Sequence, residues 1–214
     1  MYPPNFNVEV MEETVLRLLG RKTSGNVQKV LFFLEETGTP YAREDYGRQF
    51  NNTQTPEYLK LNPNAKVPTL VDGDLAIWES NTILRYLAAK AGSALYPSDL
   101  GARTHVERWM DWQLATLNPM YVALFQGSKL PPGERAPDFA AQAKAMGDAL
   151  TLLDGQLARS PWLAGASITL AEMCLGPIVY RCLRFGVDLP PLANLKRWDD
   201  AVSSRDAFKR ATAA

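Results

Sequence analysis

Apolar residues follow two different periods along this 214-residue chain. Near the start, a short apolar run at residues 15–19 stops at Gly20 and is typical of a buried strand. Apolar side chains then recur at helical spacing over residues 27–34 until Gly38, a common helix terminator. Residues 41–45 predict a second strand. A strand, a helix and a strand of these lengths predict a right-handed βαβ unit with parallel strands.

The next segment predicts a hairpin followed by a helix. Residues 46–60 are polar and favour a loop with one short helix, whereas residues 67–71 and 75–78 are apolar enough for strands. The two strands are separated by Asp-Gly-Asp at residues 72–74, which is a hairpin turn signal. Residues 79–80 then open a helix. The order βαβ followed by αββα predicts a thioredoxin-like fold.

Only helical spacing follows, with helices expected at residues 102–126, 138–158, 169–183 and 191–204. Pro119 is expected to bend the first of them. The predicted fold class is therefore an α/β thioredoxin-like N-terminal domain plus an all-α C-terminal domain. We expect four parts: a poorly ordered leader with paired prolines at residues 1–13, the α/β domain at 14–91, a linker at 92–100 and the helical domain at 101–214.

The composition argues against several classes of partner. Lysine plus arginine and aspartate plus glutamate each number 23, so no field of one sign attracts nucleic acid or an anionic membrane. One histidine and two cysteines argue against a structural metal site and a disulfide framework. No apolar run approaches the roughly 20 residues that span a bilayer, and no secretory signal opens the chain. We therefore expect a cytoplasmic protein.

Three polar residues, Thr23, Ser24 and Asn26, lie where the first strand turns into the first helix. The first turn of a helix has unpaired N–H groups and about half a positive charge, which stabilise an anion such as a thiolate. A hydroxyl in the same turn can donate to sulfur and lower the thiol pKa. The same residues also suit an ordinary helix cap, and the residues alone leave both interpretations open.

Lys66, Val67 and Pro68 lie at the entrance to the third strand. A proline in a turn beside a site is a candidate for a cis peptide bond. That geometry would direct the backbone groups of Val67 toward a cleft, where they can pair with an extended peptide. Lys66 is suited to a carboxylate. A trans proline at a strand edge is the alternative.

Glu79 and Ser80 lie where the fourth strand becomes a helix. The N–H and hydroxyl of Ser80 suit a carboxylate, and Glu79 can accept from an ammonium group. Together they fit the α-amino acid end of a peptide. An ordinary helix cap with acidic bias is the alternative.

The order and spacing of these three segments resemble the cytosolic glutathione transferase family. The matching text lies in residues 20–30, 61–68 and 78–87, and the resemblance spans roughly residues 14–205. It looks like a bacterial branch related to the theta and nu groups. The resemblance implies glutathione as co-substrate, a small apolar electrophile as acceptor against the helical domain, and a homodimer.

Carried onto this chain, the resemblance assigns each segment to one part of glutathione. Ser24 would activate the sulfur with Asn26 assisting, and the adjacent Thr23 is the alternative hydroxyl. The remaining contacts would be Val67 with Pro68 at the cysteinyl backbone, Glu79 with Ser80 at the γ-glutamyl end, and Lys66 with Gln54 at the glycyl end.

Two positions distinguish this chain within the family. The Ser24 position carries neither Cys nor Tyr, which argues against the groups that form a mixed disulfide and against the tyrosine-type transferases. Glu172 stands where the family usually has Asp, in a helix-capping box that begins at Thr169. We expect the cap to survive, because glutamate retains the acceptor group.

The implied reaction is attack of the glutathione thiolate on an electrophilic carbon. Glutathione-dependent reduction of disulfides or peroxides at the same site is one alternative. A binding protein that keeps the fold without catalysis is another. Cys174 and Cys182 are expected in the core and His105 on a helix surface. Three aromatic residues suit either the core or the acceptor pocket: Trp109, Trp112 and Tyr121.

Overall fold

A computed structural model describes residues 15–213, so the leader predicted at residues 1–13 lies outside the described part. Within that part, strands β1 to β4 span Leu16–Leu19, Tyr41–Glu44, Thr69–Asp72 and Leu75–Trp78. Helices α1 to α9 span Gly25–Thr37, Pro56–Leu61, Ser80–Lys90, Leu100–Trp112, Asn118–Gly127, Phe139–Leu157, Leu170–Cys182, Ala193–Ser203 and Asp206–Thr212. The domain boundaries proposed above stay a prediction.

The four strands form one sheet in the order β2-β1-β3-β4. Strands β1 and β2 are parallel, as the βαβ unit requires, whereas β3 runs antiparallel to both β1 and β4. The predicted thioredoxin-like layout, followed by an all-helical part, is confirmed. Strand β3 begins at Thr69 rather than at Val67, because Pro68 lacks the N–H group that a ladder needs.

Helix α1 lies at the centre of the core. Every residue from 27 to 34 is buried, including the polar Gln28 and Lys29. The helix contacts α3 of the α/β part and α7 and α9 of the helical part. Gly38 ends the helix in the left-handed conformation at φ 66°, as its position predicts. Because both parts pack on α1, its first turn lies at their boundary.

Residues 102–126 are helical throughout, as predicted, but they do not form one uniform α-helix. A π-helical segment, Gln113–Leu117, separates α4 from α5. Pro119, the residue predicted to cause a bend, is the second residue of α5. A proline ring clashes with the carbonyl four residues earlier, here that of Ala115, and a wider turn at that point relieves the clash. The pattern also did not predict α9, whose buried side chains are Ala207, Phe208 and Ala211.

Helix α7 is buried over most of its length and starts at the expected capping box. The Thr169 hydroxyl accepts from the Ala171 N–H, and the Glu172 carboxylate accepts from the Thr169 N–H at 2.8 Å. Cys174 and Cys182 are buried thiols on this helix, so their predicted core role is confirmed. Over residues 15–213, no helix combines the length and the apolar content needed to cross a bilayer.

Candidate functional site

Strand register brings three loops to one edge of the sheet. Thr69, at the start of β3, pairs with Leu19 at the end of β1 and with Trp78 at the end of β4. A Cβ built on Gly20, the residue after β1, would lie 3.4 Å from the Cβ of Val67. The segments that continue past this row are therefore neighbours: residues 20–26 after β1, residues 66–68 before β3 and residues 79–81 after β4.

Ser24 stands at the N-terminus of α1, and its hydroxyl is not used as a cap. The residue has φ −82° and ψ 124°, and its side chain makes no capping hydrogen bond within residues 15–213. It is only 8% exposed. Its N–H donates to the Arg21 carbonyl at 3.1 Å, and its carbonyl accepts from the Gln28 N–H at 2.9 Å. The ordinary-cap interpretation of Ser24 is therefore wrong, and the hydroxyl is free for a ligand at the positive end of α1.

Thr23 and Asn26 flank Ser24 in different surroundings. The Thr23 side chain is exposed, while its carbonyl accepts from Arg181 Nη2 at 3.0 Å. Asn26 is half-buried in the first turn of α1, a turn that contains no acidic residue. Of the two hydroxyls, that of Ser24 is the one sheltered from bulk water, where a hydrogen bond to an anion is strongest.

The peptide bond between Val67 and Pro68 is cis, as predicted. Among the described residues, neither the amide nor the carbonyl of Val67 is paired with another backbone group. The carbonyl of Lys66 is fixed instead, because it accepts from the Tyr58 hydroxyl at 2.6 Å and from Asn62 Nδ2 at 2.9 Å. The sequence pattern gave no signal for this anchoring role of Asn62. The buried Tyr58 and Asn62 thus hold the main chain just before the free groups of Val67.

Glu79 has φ 71° and ψ 114°, a backbone conformation that residues other than glycine rarely adopt. It precedes α3 without making a side-chain cap, so the ordinary-cap interpretation is wrong for Glu79. Its side chain is exposed, whereas Ser80, the first residue of α3, is 6% exposed. Strained backbone of this kind is concentrated at functional sites.

Lys66 and Gln54 were both predicted to meet the glycyl end of glutathione, and both are exposed. Lys66 precedes Val67 directly and so lies at the same edge of the sheet. Gln54 lies in the loop before α2, next to Thr55, whose hydroxyl caps that helix by accepting from the Tyr58 N–H at 3.3 Å. No hydrogen bond among the described residues links the Gln54 side chain to the other predicted site residues.

Helices α5 and α7 form the wall on the other side of the α1 N-terminus. The Tyr121 hydroxyl would lie 3.0 Å from a Cβ built on Gly25, the first residue of α1. Arg181 donates to that hydroxyl at 3.2 Å and to Gln28 Oε1 at 2.7 Å. Burial raises the pKa of the Tyr121 phenol, and Arg181 opposes that shift only in part. Because Arg181 donates to the phenol oxygen, the Tyr121 proton is available to a bound molecule.

Two family models match the chain. The glutathione S-transferase N-terminal domain matches residues 14–89, and the glutathione S-transferase C-terminal domain matches residues 136–201. Glutathione S-transferase GstB of Escherichia coli (strain K12) is 35% identical over 201 residues, which cover 92% of this chain and 97% of GstB. The chain belongs to the glutathione S-transferase family. The identification made from the three sequence segments is confirmed at this level.

Two further proteins are similar to this glutathione S-transferase over most of its length. A theta class glutathione S-transferase from the citrus canker pathogen Xanthomonas axonopodis pv. citri, crystallised with glutathione bound, has a TM-score of 0.89 and 37% identity. The alignment covers 94% of this chain and 98% of that one. The disulfide-bond oxidoreductase YfcG of Escherichia coli (strain K12) is 31% identical over 202 residues, covering 87% of this chain and 89% of YfcG. Proteins named for different reactions are thus similar to this chain.

The other residues considered in the sequence analysis lie in the core or on the surface of the glutathione S-transferase fold. Trp109 is 8% exposed and packs edge-on against Trp112, with ring centroids 5.6 Å apart. His105 is exposed on α4, as predicted. Of the three undecided aromatic residues, Tyr121 is therefore the one beside the site. Within residues 15–213, no group of three or more His, Cys, Asp or Glu side chains is placed to hold a metal.

Proposed function

We propose that this protein binds glutathione at the shared sheet edge and transfers its thiolate sulfur to an electrophilic carbon. The observation that carries the proposal is Ser24, a residue only 8% exposed at the positive end of α1 whose hydroxyl makes no capping bond among the described residues. A thiolate there is stabilised by the helix N-terminus and by a donated O–H bond. The sulfur forms a bond to carbon, and the leaving group departs with its electron pair.

The other predicted residues would hold the remainder of the tripeptide. The free N–H and C=O groups of Val67 would pair with the cysteinyl backbone of glutathione, as in an added strand. Ser80 would donate to the γ-glutamyl carboxylate and Glu79 would accept from its ammonium group. Lys66 would attract the glycyl carboxylate. Positioning of the sulfur beside its acceptor supplies the remaining catalysis.

Reduction of a disulfide at the same site is the second candidate, favoured by the similarity to YfcG. The glutathione thiolate would attack one sulfur of the disulfide, giving a mixed disulfide and a released thiol. Cys174 and Cys182 are buried, so neither can resolve that mixed disulfide. A second glutathione would have to do so, leaving oxidised glutathione and the other thiol as products.

Calorimetry and two rate measurements test these proposals together. Glutathione is titrated into the protein, and turnover is then compared between 1-chloro-2,4-dinitrobenzene and bis(2-hydroxyethyl) disulfide. We expect glutathione uptake and faster turnover of the chlorinated aromatic, relative to the uncatalysed rates. The opposite preference would assign the reductase reaction, and uptake without turnover of either compound would assign a non-catalytic binding protein. Absence of uptake at millimolar glutathione would contradict the proposal itself.

The family resemblance also implies a homodimer, and the composition predicts a cytoplasmic protein with no nucleic-acid or membrane partner. These properties stay predictions. Sedimentation equilibrium of the full chain tests the first directly, because a monomer would have the mass of 23.8 kDa given by the sequence. A mass near that value at micromolar concentration would remove the homodimer from the proposal.

A further inference from the structure

Three cationic side chains lie over one aromatic residue beside the proposed sulfur site, and a fourth lies close to them. Lys129 Nζ lies 3.9 Å from the centre of the Phe125 ring, and the guanidinium carbons of Arg48 and Arg181 lie 5.5 and 5.8 Å from it. Arg21 joins them, because its Nη1 would be 2.9 Å from a Cβ built on Gly47, the residue before Arg48. We call Arg21, Arg48, Lys129 and Arg181 the Phe125 cluster.

No carboxylate of residues 15–213 forms a salt bridge with any member of the Phe125 cluster. Among these residues, Arg181 donates only to neutral groups, the Tyr121 hydroxyl, the Thr23 carbonyl and the Gln28 amide oxygen. The Nε of Arg21 is buried and has no hydrogen-bond partner in the described part of the chain. Burial, with Arg48 and Arg181 nearby, lowers the pKa of Arg21. The positive charges of the cluster are thus held close together, and some of their N–H donors have no acceptor among the described residues.

The cleft between α1 and α9 shows the ordinary arrangement for comparison. There Arg205 pairs with Glu36, and Arg210 pairs with Glu35 at 2.5 Å. Carboxylates of the same chain neutralise these cations, so the cleft does not need a bound anion to balance their charge. The Phe125 cluster is not neutralised in this way. Cations grouped without acidic partners produce a positive potential in a cleft, and that potential attracts an anion.

Aromatic rings form an apolar surface beside the Phe125 cluster and the proposed sulfur site. Phe185 lies 5.8 Å from Tyr121 and 6.4 Å from Phe125, measured between ring centroids, and Tyr121 stacks on Phe125 at 5.9 Å. The Thr23 carbonyl bound by Arg181 immediately precedes Ser24. An acceptor lying on these rings would therefore have its reactive carbon near the proposed thiolate and its far end among the cations.

We propose that the acceptor is an anionic electrophile, a carboxylate joined to an apolar or aromatic body, rather than a wholly apolar one. This rests on the proposed function, with glutathione bound at Ser24. Arg21, Arg48 and Arg181 hold the carboxylate through charge-assisted bonds. The body lies on Phe125 and Phe185. Glutathione's own carboxylates are taken by the segments at Ser80 and Lys66, on the α/β side of the site.

Two matched acceptors test the proposal: 4-chloro-3,5-dinitrobenzoate and 4-chloro-3,5-dinitrobenzamide. In both, the thiolate attacks the chlorinated carbon, the C–S bond forms, and chloride leaves with the electron pair. Each kcat/KM is divided by the uncatalysed rate constant with glutathione, which removes the difference in intrinsic reactivity. We expect the benzoate to be favoured at least about tenfold. The chlorine-free 3,5-dinitrobenzoate and its amide, titrated into the glutathione complex, should show the same order of affinity.

Variants that each remove one positive charge test which side chains bind the carboxylate of the acceptor. Arg48→Gln should reduce the benzoate-to-benzamide ratio about tenfold. Arg159→Gln, which removes one exposed cation far along the chain, should leave that ratio unchanged. The proposal is overturned if the parent chain shows no benzoate preference in rate or binding, or if Arg48→Gln keeps the preference. It is also overturned if Arg48→Gln weakens glutathione binding as much as benzoate binding. Failure of glutathione uptake itself would instead remove the proposed function.

Discussion

Arg181 of α7 binds the main-chain carbonyl of Thr23 across 158 residues of sequence, at a distance of 3.0 Å. The loop that presents Ser24 is therefore held from the helical part as well as by the sheet. The same guanidinium orients the Tyr121 phenol and contacts the Gln28 side chain in the first turns of α1. The proposed sulfur site and the wall formed by α5 and α7 are thus joined through one side chain.

Ser24→Ala should lower turnover without a matching loss of glutathione affinity. The hydroxyl donates to an ionised sulfur, and a hydrogen bond to a charged group contributes about 1.5–3 kcal/mol, so kcat/KM should fall about 10- to 100-fold. Thr23→Val is the matched control, because the Thr23 side chain is exposed and only its carbonyl is engaged in the structure. Turnover lost in Thr23→Val and retained in Ser24→Ala would move the role to Thr23.

Ser80→Ala should instead weaken glutathione binding. Ser80 is a largely buried residue at the start of α3, and its hydroxyl is proposed to donate to the γ-glutamyl carboxylate. Loss of that charge-assisted bond should raise the dissociation constant at least about tenfold in a calorimetric titration. Thr82→Ala removes an exposed hydroxyl from the same helix and should leave the constant unchanged. Equal constants for Ser80→Ala and the parent would refute the assignment.

Glu172→Gln should destabilise the fold rather than the site. One carboxylate oxygen accepts from the Leu163 N–H at 2.8 Å and Trp198 Nε1 at 3.4 Å, while the other accepts from the N–H and hydroxyl of Thr169. Burial raises the pKa of this carboxyl, and the four donors oppose the shift. An amide must place its NH₂ against two of those donors, so urea unfolding should show a loss of about 2–4 kcal/mol. The exposed Glu134→Gln should change stability little; an equal, small effect of both variants would contradict this reasoning.

Lys29→Met should change how stability depends on pH. Lys29 is buried in α1, donates to Gln113 Oε1 at 2.5 Å, and has a pKa lowered by burial below its ordinary 10.5. The unfolded chain therefore binds a proton that the folded protein holds less tightly, so parent stability rises with pH up to about 10.5. The methionine variant lacks this dependence, and its stability relative to the parent should fall with rising pH by at most about 1.4 kcal/mol per unit.

Urea unfolding from pH 6 to pH 10 measures that slope. Lys60→Met is the control, because Lys60 is exposed on α2 and its replacement should give no comparable pH trend. A difference between Lys29→Met and the parent that is constant across this range would show that Lys29 keeps its ordinary pKa.

The local sequence pattern was sufficient to predict much of this fold. The apolar spacing of α1 and the turn at residues 72–74 each depend on a few neighbouring residues, whereas the residues alone left cis and trans open at Pro68 and the family resemblance implied the cis bond. The thioredoxin-like order followed from those elements. The break between α4 and α5 is different, because proline predicts a disturbance without specifying that a π-helical turn will absorb it.

Long-range contacts could not be read from the pattern. Arg181 has the sequence context of an ordinary basic residue near a helix C-terminus, and only folding brings it to Thr23. Lys29 has the composition of a solvated helix position, yet packing of α7 against α1 buries it. The cationic character of the proposed acceptor site depends on four separate segments, so the sequence alone predicted an apolar acceptor where we propose an anionic one.

The pKa of the bound glutathione thiol tests the central claim most directly. It is obtained from the thiolate absorbance of the glutathione complex in the ultraviolet, measured as a function of pH against the free protein. A free cysteine thiol titrates near pH 8.5, and we expect the bound thiol to titrate at least about one unit lower. A bound thiol that titrates with the same pKa as free glutathione would contradict the placement of its sulfur at Ser24 and the α1 N-terminus.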